Sequence, residues 1–216
     1  MPTVRKKKIS TYDRIVDTAL ILFNEQGERN ISTNHISTRL KISPGNLYYH
    51  FRNKDEIIFQ LFKRYRKELI RFITETPPPS DAQELHDFIA AVFDIMWQYR
   101  FFFADVTTLL SRSSELQDEH EKFTLVEVSP LIQRNLVHLI ELGMVKMDKL
   151  DISIFVSNFW LVIKHWFFFD RSMHDNTLDK HAQLRGLKHI LGMLRPYVTE
   201  QHRTSFDKVL FNYTLL

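Results

Sequence analysis

A short segment, residues 43–54, combines hydrogen-bonding side chains with the signals that begin a short helix. Ser43 can accept hydrogen bonds from free backbone N–H groups at a helix start, and Pro44 suits the first helical position because no N–H is needed there. Gly45 leaves the front of the helix without a side chain, so a bulky partner can approach the backbone closely. These residues are typical of a helix whose N-terminal end contacts another molecule.

The rest of the segment separates an apolar face from a polar one. Leu47 and Phe51 lie four residues apart and can anchor the helix to a core. Asn53 and Glu56 form a pair like a capping box that begins the next helix. Hydrogen-bonding groups point away from the apolar face on Tyr48, Tyr49 and His50.

Two more helices are predicted upstream. Ser32 is a suitable N-cap, and residues 41–43 form a tight turn before Pro44. An apolar stripe with helical spacing stops at Gly27, and its members are Tyr12, Ile15, Val16, Ala19, Leu22 and Phe23. A helix, a tight turn and a second helix form the helix-turn-helix of groove-reading proteins. We expect residues 10–53 to form an N-terminal domain, called the head, that contains three helices. These helices span residues 10–26, 33–40 and 44–50.

The head resembles a known family. Residues 15–62 are similar to the N-terminal domain of the TetR family of ligand-responsive transcription regulators. The matching pieces are 19–23, Gly27, Ile36, 43–51 and 54–55, and the most specific string is Leu-Tyr-x-His-Phe-x-x-Lys at residues 47–54. The resemblance implies a sequence-specific DNA-binding regulator, usually a repressor that its ligand releases, although some relatives activate.

The resemblance also implies roles for individual residues. The side chains that mainly contact phosphates are Thr33, Ser43, Tyr48, Tyr49, His50 and Lys54. The residues nearest to base edges are Pro44, Gly45 and Asn46. Hydrophobic packing is the alternative role for Tyr48 or Tyr49.

Charge is distributed as a nucleic-acid partner requires. The first 75 residues contain 15 Lys and Arg against 8 Asp and Glu, a net charge of +7, and the remaining residues contain 14 against 18, a net charge of −4. A basic head on an acidic body concentrates the attraction for phosphate at the motif. Residues 1–9 are a basic arm, interpreted either as a solvated tail or as a nonspecific phosphate clamp.

Length and composition exclude several classes of protein. A chain of 216 residues suits a head and a larger body, each with its own core. Cysteine is absent, which excludes disulfides and thiolate metal sites and fits a reducing cytoplasm. The first residues lack an apolar signal segment, and the apolar stretch 152–169 contains Lys164. We therefore expect a cytoplasmic protein with no membrane span and no cofactor.

The body, residues 54–216, is predicted to be helical throughout. Few glycines and long helical periodicity without alternating strands indicate an all-α protein. Residues 77–79 are three prolines that form a stiff connector, and Pro130 is expected to kink or break a helix. The expected helices are 54–74, 81–99, 102–111, 114–141, 148–173, 177–195 and 204–213.

Eighteen phenylalanines, with triplets at 101–103 and 167–169, are many for a chain of this length. Adjacent residues in a helix are about 100° apart, so we expect that three in a row cannot all face one core. Excess aromatic surface favours a dimer interface and an apolar ligand cavity over purely internal packing.

The family resemblance assigns ligand sensing and dimerisation to the body. Asn158 and His165 lie seven residues apart on a very apolar helix. They are either polar contacts for a ligand or buried groups satisfied by their neighbours. The candidate ligand-binding residues are Trp97, Phe103, Asn158, Val162, His165 and Phe169. Helices 148–173 and 177–195 are expected to form a four-helix interface in a homodimer.

Residues 76–79 and 98–105 resemble the branch of the family that contains regulators of polyhydroxyalkanoate storage. That resemblance implies a fatty-acyl or acyl-CoA effector. The expected partners are a palindromic double-stranded DNA operator, a second copy of the chain and a small apolar effector.

Other classes of function have less support. No catalytic or phosphate-binding motif and no His-Glu-x-x-His metal motif occurs, so we expect neither catalytic residues nor a metal site. A nonspecific architectural DNA-binding protein would share the basic head. A helical protein-interaction module would use the aromatic body, but the intact Tyr48, Tyr49, His50 and Lys54 count against it.

Overall fold

The computed structural model describes residues 10–212, so the basic arm at 1–9 lies outside the described residues. Within that range the chain is helical, and its β-structure is a single isolated bridge between Val145 and Val198. Its contacts divide it into two compact units, one ending at Arg64 and the other beginning at Tyr65. The expected all-α class is confirmed.

The first unit contains the three predicted helices. They are α1 (Thr11–Gln26), α2 (Thr33–Leu40) and α3 (Pro44–His50), and the first turns of α4 (Lys54–Glu75) complete the unit. Local signals set the ends: Ser10 caps α1, Ser32 and His35 form a capping box on α2, and Gly27 ends α1 at a φ of 81°. The predicted helices agree with the structure to within one residue.

The second unit contains the rest of α4 and eight further helices within the described range. They are α5 (Ala82–Gln98), α6 (Arg100–Ala104), α7 (Val106–Arg112), α8 (Ser114–Lys122), α9 (Ser129–Glu141), α10 (Lys149–Met173), α11 (His181–Leu194) and α12 (Glu200–Asn212). Three predictions need correction. The helix expected at 102–111 is divided at Asp105, the helix expected at 177–195 begins at His181, and the terminal helix begins at Glu200.

The segment expected to kink at Pro130 has a different irregularity. A π-helical stretch, Phe123–Val128, joins α8 to α9, and Pro130 lies in the first turn of α9. A proline is tolerated there because the first N–H groups of a helix have no partner within it. The irregular geometry therefore precedes the proline.

The first phenylalanine triplet contradicts the expectation that one residue must leave the core. Phe101, Phe102 and Phe103 are all buried, on the five-residue helix α6. Their rings contact different neighbours: Phe102 lies near His120 of α8, and Phe103 contacts Tyr65 of α4. A short helix enclosed on several sides can bury consecutive side chains, which a helix at a surface cannot do.

Helices α5, α10 and α11 pack closely around Gly186. A Cβ atom at this position would lie 2.6 Å from the ring of Phe93 and 2.7 Å from Trp166. The buried side of α10 carries large apolar residues, which are Phe155, Val156, Trp160, Ile163, Trp166 and Phe167. These side chains form much of the body's core.

By length and composition, α10 is the one helix within residues 10–212 that could cross a membrane. A core helix of a folded domain passes the same test. Its buried side packs on the body, whereas Leu150, Ile154, Leu161 and Phe168 are exposed on its opposite side. We interpret α10 as a core helix that also has an exposed apolar face.

Candidate functional site

The front of α3 is open and rigidly held. The Ser43 hydroxyl accepts a hydrogen bond from the Asn46 N–H at 3.1 Å, which fixes the first turn. Leu47 and Phe51 are fully buried and anchor the helix, while Pro44, Gly45 and Asn46 are exposed. Another molecule can therefore approach the backbone and the amide side chain of the first turn.

Behind this turn, α3 presents aromatic side chains with polar groups. Tyr49 is 85% exposed, and Tyr48 is 50% exposed with its hydroxyl 3.1 Å from the hydroxyl of Thr33. His50 is half-buried between the rings of Tyr12 and Tyr49. Neither Tyr48 nor Tyr49 belongs to the buried core, so hydrophobic packing does not account for these residues.

Lys54 has a role that the motif did not indicate. Its ammonium donates to the backbone carbonyls of Glu28 and Ile31, both at 2.9 Å, and lies 2.9 Å from the carboxylate of Glu28. These contacts use all three of its N–H donors. The Glu28 side chain is only 1% exposed, so Lys54 neutralises a buried charge. Its direct phosphate contact stays a prediction, alongside this structural role.

An open groove brings several of the predicted contacts together. Thr33, Tyr48 and Lys54 line it, together with two basic residues that sequence reasoning missed, Arg29 and Arg52. Both arginines are exposed. Guanidinium groups match phosphate geometry, so the groove is suited to a nucleic-acid backbone. The excess of basic residues in the head was the signal for them.

The body encloses an apolar cavity. Its wall comes from α4, α5, α9, α10 and α11, with the connector residue Pro79 and Val128 of the π-helical stretch. Its volume is about 70 Å³. An apolar cavity of about 150 Å³ binds benzene, so this one accepts only a smaller group as it stands. Its walls suit a compact apolar molecule.

One side chain of the cavity wall is a polar amide among apolar neighbours. Asn135 of α9 lines the cavity, and its buried Oδ1 atom has no hydrogen-bond partner within residues 10–212. It was absent from the predicted site, although the sequence contained a signal. Asn135 interrupts an apolar stripe with helical spacing. Val128 and Ile132 lie seven and three residues before it, and Leu139 lies four residues after it.

The six predicted ligand-binding residues do not line this cavity. Phe103 is buried against Tyr65 and Phe167, and Trp97 packs on Phe167 and Arg100. The other four lie on the more exposed side of α10, and they are Asn158, Val162, His165 and Phe169.

The geometry of α10 explains this placement. Asn158 and Val162 each precede a residue that does line the cavity, Phe159 and Ile163. Adjacent helix positions are rotated by about 100°, so the predicted face is displaced by one residue from the face that meets the cavity. The apolar cavity gives no support to a ligand role for these six residues, which stays a prediction.

Basic side chains cluster where α8 meets α10. Burial, with Lys164 and His165 nearby, lowers the pKa of His120 to about 3. Burial lowers the pKa of Lys164, and burial together with Lys164 lowers the pKa of His165. Both histidines are therefore mainly neutral at pH 7. Within the described residues, no group of three or more side chains is placed to hold a metal ion.

Two family models match the chain. The model described as bacterial regulatory proteins, tetR family, matches residues 15–61, which contain the helix-turn-helix. The TetR model described as a bacterial transcriptional repressor matches residues 64–206. The two matches cover both units.

Individual relatives agree with these matches. The negative transcriptional regulator IcaR of the biofilm operon icaADBC, from Staphylococcus epidermidis, is 25% identical over 158 residues, which are 72% of this chain and 82% of that protein. The crystal structure of a TetR-family transcriptional regulator from Marinobacter aquaeolei is 34% identical, with a TM-score of 0.84 over 95% of this chain and 99% of that one. The fatty acid degradation regulator FadR from Bacillus halodurans has a similar fold, at 20% identity and a TM-score of 0.61 over 88% and 99% of the two chains.

Proposed function

The chain belongs to the TetR family of DNA-binding transcriptional repressors, and we propose that it binds a palindromic operator as a homodimer controlled by a small apolar effector. The observation that carries the DNA-binding part is the open front of α3, with Gly45 and Asn46 exposed above the buried anchors Leu47 and Phe51. A recognition helix presented in this way reads base edges with its N-terminal residues. Such a regulator acts where the bacterial chromosome lies, in the cytoplasm.

The proposed DNA contacts are of two kinds. Pro44, Gly45 and Asn46 lie nearest to base edges, and the Asn46 amide can donate and accept at an adenine. Phosphate contacts position the helix without reading sequence. We assign them to Thr33, Ser43, Tyr48, Tyr49 and His50, with Lys54 as a further candidate and Arg52 added from the groove.

Replacing Asn46 tests the proposed base contact. In Asn46→Ala, the protein's preference for operator over random duplex DNA should fall. We expect the gap between the two binding free energies to narrow by about 1–3 kcal/mol, since a base contact is lost. Gln26→Ala, at an exposed position at the end of α1, is the control and should keep the gap. Competition binding at one fixed salt concentration measures both variants. An unchanged gap in Asn46→Ala would remove Asn46 from the base-reading set.

The homodimer is supported by the exposed apolar face of α10. Leu150, Ile154, Leu161 and Phe168 are between 51% and 83% exposed and recur at intervals of four and seven residues. Leu184 on α11 is also exposed, and the position of a Cβ on Gly192 has open space around it. Apolar stripes with heptad-like spacing pack against partner helices. Two copies would bury these faces in a four-helix interface, with two recognition helices about 34–36 Å apart.

The effector site is proposed to be the apolar cavity of the body. A fatty-acyl or acyl-CoA effector is supported by the apolar walls and by the fold shared with the fatty acid degradation regulator. The cavity as it stands accepts only a short part of such a chain, so a longer one requires the walls to move. An effector matters only if it distinguishes DNA-competent from incompetent states.

We propose that α4 transmits the effect of the ligand. Its residues Leu69 and Ile73 line the cavity, and its N-terminal part belongs to the unit that contains α3. Arg66 on the same helix hydrogen-bonds to Glu127 of the π-helical stretch and, at 2.6 Å, to Glu119 of α8. A ligand that displaces the wall would therefore move α4. Coupling is reciprocal, so operator DNA weakens effector binding by the same factor.

A further inference from the structure

The cavity of the body has an almost purely apolar wall, and one of its lining side chains, Asn135, carries a buried oxygen that lacks a partner within residues 10–212. Trp160 also lines the cavity, but its indole N–H donates to the Thr124 hydroxyl at 3.4 Å. The buried Oδ1 of Asn135 has no donor within residues 10–212. Buried amide oxygens are nearly always hydrogen-bonded, because leaving one unpaired forfeits its hydration. Asn135 therefore marks a place where a donor from outside the chain would be stabilising.

Water is a poor candidate for this donor. Buried water molecules typically make about three hydrogen bonds to protein groups. Here the surrounding side chains, such as Ile132, Leu139 and Ile163, offer none, so a water next to Asn135 would gain one bond and leave its others unmade. A molecule with an apolar body gains by burying that body against the same walls.

The charge of the ligand is limited by the same walls. No lining side chain is ionisable. A carboxylate or ammonium group inside would be a buried charge without a counterion, which is strongly unfavourable. The Asn135 amide can rotate to present either its oxygen or its NH₂ group, so it can pair with a hydroxyl or with a carbonyl.

We propose that Asn135 anchors an effector whose buried part is uncharged and mainly apolar, with one hydroxyl or carbonyl group. This inference rests on the proposed effector site and defines its chemistry. The cavity is smaller than the space of about 150 Å³ that holds benzene, so the walls must move to admit a whole ring. For a fatty-acyl effector, the inference places an ester-type carbonyl at Asn135 and excludes a free carboxylate from that position.

The probes for a test are phenol and toluene, which have the same shape and differ by a hydroxyl and a methyl group. Phenol is better hydrated than toluene, which weakens its binding to every variant alike. The informative quantity is therefore the ratio of the two dissociation constants, compared between wild type and each variant. We expect Asn135→Leu to lower the preference for phenol over toluene by about tenfold, the equivalent of one hydrogen bond. Calorimetry or ligand-observed NMR on the full chain without DNA measures both constants.

Three further samples complete the test. Gln133→Leu, on an exposed position of the same helix, should leave the ratio unchanged. Ile132→Phe fills the cavity and should weaken both probes. Benzoate should bind wild type at least about tenfold more weakly than phenol, because its charge would be desolvated without a partner.

The outcomes are distinct. A ratio that is the same in wild type and Asn135→Leu overturns the role of Asn135, and benzoate that binds as tightly as phenol overturns the uncharged class. Absence of binding by both probes to wild type overturns the cavity as the site. Operator binding is measured separately on the same samples. A protein that selects no operator but shows the tenfold change refutes the proposed function and leaves this inference standing.

Discussion

At the front of α3 the polar side chains are exposed above a buried anchor, whereas in the body one buried amide oxygen belongs to a side chain that lines an apolar cavity. The first site is contiguous in sequence, because Ser43, Asn46 and Tyr49 follow one another on a single helix. The second is assembled from α4, α5, α9, α10 and α11. The contiguous site can be recognised from a motif, and the assembled site depends on packing that only the structure shows.

The two units also use charge differently. The head buries the carboxylate of Glu28 against Lys54, whereas the predicted contacts at the front of α3, from Ser43 to Asn46, are exposed. The body buries His120 in a neutral form, close to Lys164 and His165. The head therefore pairs a buried carboxylate with an ammonium, whereas the body buries a basic group in its neutral form.

The largest expected effect is on the stability of the head. Lys54→Ala removes an ammonium that contacts the buried carboxylate of Glu28 and two backbone carbonyls, and it should lower the free energy of unfolding by about 3 kcal/mol. Lys67→Ala, an exposed change on the same helix, is the control and should stay within about 0.5 kcal/mol of wild type. Denaturant unfolding measures both. A stable Lys54→Ala variant that loses only affinity for DNA would instead make Lys54 a phosphate contact like its neighbours.

The next effect concerns the exposed face of α10. Leu161→Glu should raise the dimer dissociation constant by about a hundredfold or more, since two-fold symmetry brings like charges together. Leu125→Glu is a matched control, because Leu125 is 62% exposed and Leu161 is 56% exposed. Sedimentation at micromolar concentration reports the mass, and the chain alone is 25.9 kDa. Wild type that sediments as a monomer would refute the dimer.

The smallest of the three effects is the pH dependence of stability that the buried His120 gives to the body. The folded-state pKa of His120 is about 3, below its ordinary value of 6.5, so the unfolded state binds more protons between these values. The stabilisation is therefore complete above pH 6.5 and is lost as pH falls, by about 2 kcal/mol at pH 5. In His120→Gln this loss between pH 7 and pH 5 should largely disappear from the unfolding free energy. An equal loss in the variant would assign the pH dependence to other groups.

Sequence patterns predicted α1, α2 and α3 well because each helix carries its own local signals. Ser43 and Pro44 begin α3 in the structure as they do in the motif, and Gly27 ends α1 through its left-handed backbone. The partner of Lys54 was not predictable in this way. Glu28 lies 26 residues earlier, and nothing in its local sequence indicates burial.

In the body, the sequence predicted the helices but not which faces meet. Four of the six candidate ligand residues were selected on the periodicity of α10, yet this helix has a core side and an exposed side that are both apolar. Periodicity cannot tell these two sides apart. Asn135 could have been found as a polar break in an apolar stripe, although only the packed structure shows that its oxygen is unpaired.

The central claim is sequence-specific DNA binding by a two-fold dimer, and selection of bound fragments from random duplex DNA tests it most directly. We predict enrichment of one sequence with two inverted half-sites whose centres are about 10 base pairs apart or a multiple of that, as two recognition helices require. Retention of DNA without sequence preference would indicate a nonspecific architectural protein. No retention of DNA would contradict the account outright and favour a protein-interaction module.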